Sequence, residues 1–149
     1  MFRGITNLNL DGKGRLAMPT RHRAAFAADE GQMVLTIDTE EHCLLLYPFA
    51  TWLVIERQID NLPSFNKTAT RIKRMLIGHA TELALDAAGR ILVPAELRGH
   101  ADLDKEVVLV GQGKKLELWS QANWTLQTEA FLSAADDESL PAALESISL

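Results

Sequence analysis

The sequence has a single cysteine, Cys43, so no intramolecular disulfide can form and a small secreted disulfide scaffold is excluded. It has no apolar run near the ~18 residues of a membrane span. Its N-terminus reaches Asn9 and Asp11 before any stretch that could serve as a signal peptide. These absences predict a soluble, cytoplasmic chain. Catalytic constellations are missing as well. Neither a Gly-x-Gly-x-x-Gly fingerprint nor a phosphate-loop lysine is present. The four histidines, His22, His42, His79 and His100, are scattered without metal-ligand spacing, and His79 reads as a hydrogen-bonded structural residue. Asp11 and Asp86 could be imagined as a catalytic dyad, but each has an arginine four residues on that lowers its pKa and unfits it for general-acid work. No catalytic residue, metal site, cofactor or small-molecule substrate is therefore expected.

What is present is the composition of an ordinary globular protein: 149 residues, 47% hydrophobic and 23% charged. At this length folding buries about 70% of the unfolded chain's surface, enough for a core without metal or disulfide support. The formal net charge of −5 argues at first against a polyanionic partner. The charge is segregated, however. Residues 1–28 carry Arg3, Lys13, Arg15, Arg21 and Arg23 against Asp11 alone, and residues 66–79 add Lys67, Arg71, Lys73 and Arg74 with no acid. The stretch 129–149 holds Glu129, Asp136, Asp137, Glu138 and Glu145 and no base. Two basic islands thus sit in an otherwise acidic chain. Solvated surface charge would explain either one alone.

The chain also repeats itself. Leu8, Leu10, Asp11, Gly14, Arg15 and Pro19 coincide with Leu83, Leu85, Asp86, Gly89, Arg90 and Pro94 at a constant offset. Leu44-Leu45-Leu46-Tyr47 followed by Trp52 matches Leu116-Glu117-Leu118-Trp119 followed by Trp124, in the same order. Two tandem halves follow, residues 1–60 and 80–132, joined by a basic helix at 61–79 and trailed by an acidic tail at 133–149. A unit this short buries too little alone, so each half is expected to complete the other's core.

Within each half the residues flanking Asp-x-x-Gly-Arg read as a hairpin, followed by a short helix opened by Pro19-Thr20 or Pro94-Ala95. A second hairpin joins Val34–Ile37 to Cys43–Tyr47, and Val107–Val110 to Leu116–Trp119. A closing helix begins near Thr51 and near Ser120. Trp52, Ile55 and Ile59 form a core-facing stripe. In the connector Asn66 is the expected N-cap, with Ile72, Met75 and Leu76 on one face and Arg71 and Arg74 on the other.

The recurring turn has two readings. Gly14 and Gly89 supply the positive φ that a tight turn needs, and Asp11 and Asp86 can accept backbone N–H bonds inside it. Arg15 and Arg90 then leave at the rim, where each can fork onto its own aspartate or reach phosphates and a guanine edge in a major groove. The first reading is a staple and the second a nucleic-acid contact. Lys13, Arg3, Arg21 and Arg23 favour the second for the first half. Ala87-Ala88 leave the second turn without such cations.

Met1-Phe2-Arg3-Gly4, the paired Asp-x-x-Gly-Arg turns, Leu44-Leu45-Leu46-Tyr47-Pro48 and Gly78-His79-Ala80 together resemble the MraZ family, over essentially the whole chain. That family is related to the AbrB and MazE swapped-hairpin DNA-binding domains. The resemblance implies a β-rich α+β subunit of two AbrB-like swapped-hairpin halves forming a pseudo-twofold barrel with flanking helices. It also implies a ring-shaped homo-oligomer, nucleoid-associated. This assembly would bind direct repeats in double-stranded promoter DNA of the division and cell-wall gene cluster, chiefly as a repressor of that cluster and of its own gene. The family's Asp-x-x-x-Arg signature maps onto Asp11 and Arg15, and onto Asp86 and Arg90. Arg15 is then expected to contact base or phosphate, Lys13, Arg3, Arg21 and Arg23 the backbone, while Asp11 orients the turn. The rival reading is an interaction protein, in the manner of an antitoxin, whose acidic tail grips a partner.

Overall fold

A computed structural model of the chain describes residues 1–134, 144 and 146–148. Most of the acidic tail lies outside the described residues, so the tail's expected role is not addressed by the fold.

The strands follow the apolar runs. β1 (Ile5–Asn9) leads into the first turn, β2 (Arg15–Ala17) leaves it, and α1 (Thr20–Ala27) follows Pro19. β3 (Gln32–Ile37) and β4 (Leu44–Pro48) form a hairpin, then α2 (Phe49–Asp60) packs back. The connector is α3 (Lys67–Leu76), whose N-cap Asn66 accepts from the Thr68 and Ala69 amides at 2.9 and 3.2 Å. The second half repeats the order: β5 (Thr81–Ala84), β6 (Arg90–Leu92), α4 (Ala95–His100), β7 (Glu106–Gly111), β8 (Leu116–Ser120) and α5 (Gln121–Ser133).

The flanks of each turn do not form the hairpin that their alternation suggests. β1 pairs antiparallel with β7, from Ile5 opposite Val110 to Asn9 opposite Glu106. β5 pairs with β3, and β2 pairs only with β6. The two strands of one turn thus diverge into different sheets, because β1 finds an apolar edge at Val107–Val110 while Leu16 must be buried from water. Each half gives its first strands to the other, and the repeats are interleaved. The larger sheet runs β1-β7-β8-β4-β3-β5, an order that reads the same in reverse when the halves are exchanged.

This sheet is open. Among the described residues no ladder joins β1 to β5, so a closed barrel is not formed. The segments that could have bridged the gap, β2 and β6, are three residues each, stopped by the turn on one side and by Met18-Pro19 or Val93-Pro94 on the other. They form a separate two-stranded ribbon. The architecture is α+β with a mostly antiparallel sheet.

Both faces of the central strands are covered, which explains the unbroken run Leu44–Tyr47 where alternation would mark a half-exposed strand. One core joins Leu35, Ile37, Leu44, Leu46, Leu109 and Leu118 to Leu16 and Ile91 of the ribbon and to Phe26 and Leu97 of the short helices. The opposite core places Val34, Leu45, Tyr47, Val108 and Trp119 against Trp52 and Ile59 of α2. The Trp52 stripe packs as expected. Leu16 and Ile91 are 0% and 1% exposed, and burial of each side chain contributes about 1.5–3 kcal/mol. That burial anchors the ribbon whose other face is open to solvent.

Candidate nucleic-acid interface

Each Asp-x-x-Gly-Arg turn is closed by its aspartate. Asp11 Oδ1 accepts from the Lys13 amide at 2.9 Å and the Arg15 amide at 2.8 Å, while Arg15 Nε donates to Oδ2 at 2.6 Å. Asp86 repeats the pattern with Ala88, Arg90 and Arg90 Nε at 2.9, 2.9 and 3.0 Å. The Arg15 amide, then its guanidinium and the Lys13 amide, hold the Asp11 carboxyl at about 2, and Asp86 is lowered for the same reasons. Gly14 and Gly89 sit at φ of 85° and 76°, where a side chain would be strained.

In each arginine only Nε bonds the aspartate, and the terminal amino groups have no partner among the described residues. The register decides where. Arg15 stands opposite Leu92 and Ala17 opposite Arg90, with Leu16 and Ile91 between them facing the core. Side chains alternate along a strand, so Arg15, Ala17, Arg90 and Leu92 share the outer face of the ribbon. The two turns, a full repeat apart in sequence, present their arginines on one face of the ribbon, diagonally across the ladder. The staple and the outward contact are thus compatible in one geometry: the carboxylate takes one N–H and fixes the fork.

The turns are also braced across the halves. The Met18 amide donates to the Gly89 carbonyl and the Val93 amide to the Gly14 carbonyl, both at 2.9 Å. Arg23 donates through Nε to the Met18 carbonyl at 3.0 Å and lies over Gly89, where a Cβ would sit only 2.4 Å from its guanidinium carbon. Arg98 covers Gly14 in the same way, at 2.7 Å. One cation of the first half, Arg23, therefore reaches the second turn, where Ala87-Ala88 stand in place of Gly12-Lys13.

The remaining expected contacts divide. Lys13 is exposed within the first turn, and Arg3 is exposed near the chain start. Arg21 donates to Thr6 Oγ1 on β1 while staying exposed, and Arg23 is half-buried against Gly89. Arg98 escaped the sequence reading although the repeat offset pairs it with Arg23; extending the aligned block past Pro94 would have found it. On α3, Arg71 and Arg74 are exposed, and the helix is tied to β3 by the Thr36 hydroxyl, which donates to the Leu76 carbonyl at 2.6 Å. No described helix is long and apolar enough to cross a membrane.

A family model described as "MraZ protein, putative antitoxin-like" matches residues 1–75 and again 76–144. The chain belongs to the MraZ family. Its curated MraZ relatives include proteins named "Transcriptional regulator MraZ" from Legionella pneumophila (strain Corby) and Coxiella burnetii (strain Dugway 5J108-111). These are 50% and 47% identical over 152 residues, covering all of both chains. A relative of the same name from Marinomonas sp. (strain MWYL1) is 51% identical over 134 residues, 89% of each chain. The family model's two matches divide the chain close to the start of the second Asp-x-x-Gly-Arg block.

Proposed function

We propose that this member of a family whose relatives are named transcriptional regulators is a sequence-specific DNA-binding repressor. The observation that supports it is the pairing of Arg15 and Arg90 on one outward ribbon face, each fork fixed by an aspartate and each keeping its terminal donors free. Guanidinium forks held in this way suit the acceptor pair of a guanine edge or a phosphate. Arg15 and Arg90 read the groove, Lys13 and Arg3 contact the backbone, Asp11 and Asp86 orient the turns, and Arg23 and Arg98 brace them. Arg21 supports β1 through Thr6.

In this reading residues 1–60 and 80–132 are two swapped-hairpin halves related by a pseudo-twofold axis, with 61–79 as connector and 133–149 as tail. The protein assembles into a ring-shaped homo-oligomer in the nucleoid. Its operators are direct repeats in the promoter of the division and cell-wall gene cluster, and it represses that cluster and its own gene. Repetition supplies affinity that one subunit's small contact face does not, since linked sites raise the effective concentration of each further contact. The net charge of −5 is no obstacle, because the local field at the ribbon governs the approach of DNA.

Fluorescence anisotropy against the DNA upstream of its own gene and a shuffled duplex, over a salt series, tests the proposal. Arg15→Ala and Arg90→Ala should each lose selectivity while remaining folded, and Lys13→Ala should weaken both duplexes alike and lower the salt slope by about one. Equal binding of both duplexes by the unmodified protein would leave only phosphate contact and refute sequence reading.

A further inference from the structure

The loop end of the β3–β4 hairpin gathers three ligating side chains from both halves. The Asp38 amide donates to the Cys43 carbonyl at 3.1 Å, so these two residues face each other at the base of the loop. Pairing of β4 with β8 then sets Glu117 opposite Leu45, two residues along the strand from Cys43 and therefore on the same face. One oxygen of each carboxylate and the Cys43 sulfur come within 4.8 Å of one another.

The repeat marks Glu117 as out of place in a strand core. Its counterpart in the first half is Leu45, buried at the same position. Glu117 is only 9% exposed, yet among the described residues it forms no ion pair, and Lys115 extends its ammonium over the Tyr47 ring instead, 5.9 Å from the centroid. A carboxylate taken out of water without a counter-charge is costly, so this position calls for a cation. Both carboxylates are already oriented. Asp38 Oδ1 accepts from the Glu40 and Glu41 amides at 2.8 and 3.2 Å, which leaves Oδ2 toward Cys43 Sγ at 3.9 Å. Trp119 Nε1 donates to Glu117 Oε1 at 3.2 Å, as outer partners hold metal-bound carboxylates. On a tetrahedral Zn²⁺ with Zn–S of about 2.3 Å and Zn–O of about 2.1 Å, a sulfur and an oxygen lie about 3.6 Å apart and two oxygens about 3.4 Å. The three side chains need roughly 1 Å of closure to reach that geometry. A cavity of about 570 Å³, lined by Asp38, Glu117, Trp119 and Trp124 among others, gives an ion a way in.

We propose that Asp38, Cys43 and Glu117 form a binding site for a thiophilic divalent transition metal ion, Zn²⁺ foremost, with water in the fourth position. The thiol proton passes to solvent on binding. A thiolate selects this class of ion over Mg²⁺ and Ca²⁺, which take oxygen ligands in larger number. The ion clips the β3–β4 loop of the first half to β8 of the second. Cys43 belongs to the core on the sheet face away from Leu16 and Ile91 of the ribbon, so the site is independent of the DNA reading.

The test uses tag-free, full-length protein stripped with a chelator and titrated calorimetrically with Zn²⁺, with circular dichroism confirming the fold. One ion per chain is expected, and Asp38→Asn, Cys43→Ser and Glu117→Gln should each weaken it by more than the roughly tenfold that loss of an outer partner costs. Cys43 is fully buried, so Glu117→Leu, which gives the second half the leucine of the first, keeps the test valid if Cys43→Ser unfolds. Co²⁺ loading should give tetrahedral visible bands together with a thiolate charge-transfer band that Cys43→Ser removes. Exposed His42 is the neighbouring alternative ligand, and His42→Ala must leave affinity unchanged. No uptake by the folded protein, uptake indifferent to the Asp38, Cys43 and Glu117 variants, uptake abolished by His42→Ala, or a cobalt spectrum without the thiolate band would each overturn the site.

Discussion

Replacing Gly89 with alanine probes the brace between the halves, and two separable costs are expected. The first is backbone: at φ of 76° an L-residue is strained by roughly 1–2 kcal/mol. The second is the Arg23 guanidinium, whose carbon would lie 2.4 Å from the new Cβ and must swing away, giving up its bond to the Met18 carbonyl. That charge-assisted bond is half-buried, so its loss adds about 1 kcal/mol. Gly89→Ala should therefore cost about 2–3 kcal/mol in urea unfolding at fixed protein concentration. In an Arg23→Ala background only the backbone cost remains, so the double-mutant cycle should show a coupling of about 1 kcal/mol. Gly12→Ala, with open space around its Cβ and no positive φ, should stay within about 0.5 kcal/mol of the parent. The reasoning is refuted if Gly89→Ala costs the same in both backgrounds, or if it is as silent as Gly12→Ala.

Carboxyl NMR of Asp11 should give a midpoint near 2, below its ordinary 3.8. Because the folded value is the lower one, the turn's contribution to stability is present above about pH 4 and fades as pH falls toward 2; an unshifted midpoint would mean the turn is not closed by Asp11. The Cys43 thiol is fully buried and its pKa is pushed up, first by burial and then by Glu117 and Asp38, so native protein at pH 8 should resist thiol reagents that label the urea-unfolded chain at once. Rapid native labelling would show that the β3–β4 hairpin opens.

The repeat made much of this fold legible before any coordinates. The paired turns, their glycines, the Asn66 cap and the Trp52 stripe all rest on local rules: positive φ, side-chain capping and helical spacing. What the residues did not reveal is pairing partner. Alternation around Asp11 predicts two strands, and a hairpin is the nearest pairing for them, yet β1 and β2 go to different sheets of the other half. That choice depends on which apolar edge is left uncovered after the whole chain folds, a non-local quantity. The same limit hid the ring contacts of His100 with His42 and His79, which no sequence spacing announces. Arg23 shows a related limit: its place beside a basic turn in sequence says nothing of the Met18 carbonyl it donates to or of Gly89 beneath it.

Interleaving also bears on how the ribbon could recognise anything. Had each turn closed its own hairpin, Arg15 and Arg90 would ride on separate units with a hinge between them. Because β2 pairs only with β6, the backbones of the two arginines are fixed on one ladder, three residue pairs long, and neither backbone can shift without breaking it. Leu16 and Ile91 pin that ladder to the core, and the crossed amide bonds from Met18 and Val93 fix the loops that flank it. Ordering cost is thus met on folding rather than on contact, which is the condition for a small polar face to bind usefully. The consequence extends to the aspartates. Removing Asp86 frees only the second fork, while weakening the ladder through Leu16 or Ile91 loosens both, so a core substitution far from any ligand should disturb recognition more than the loss of one surface carboxylate.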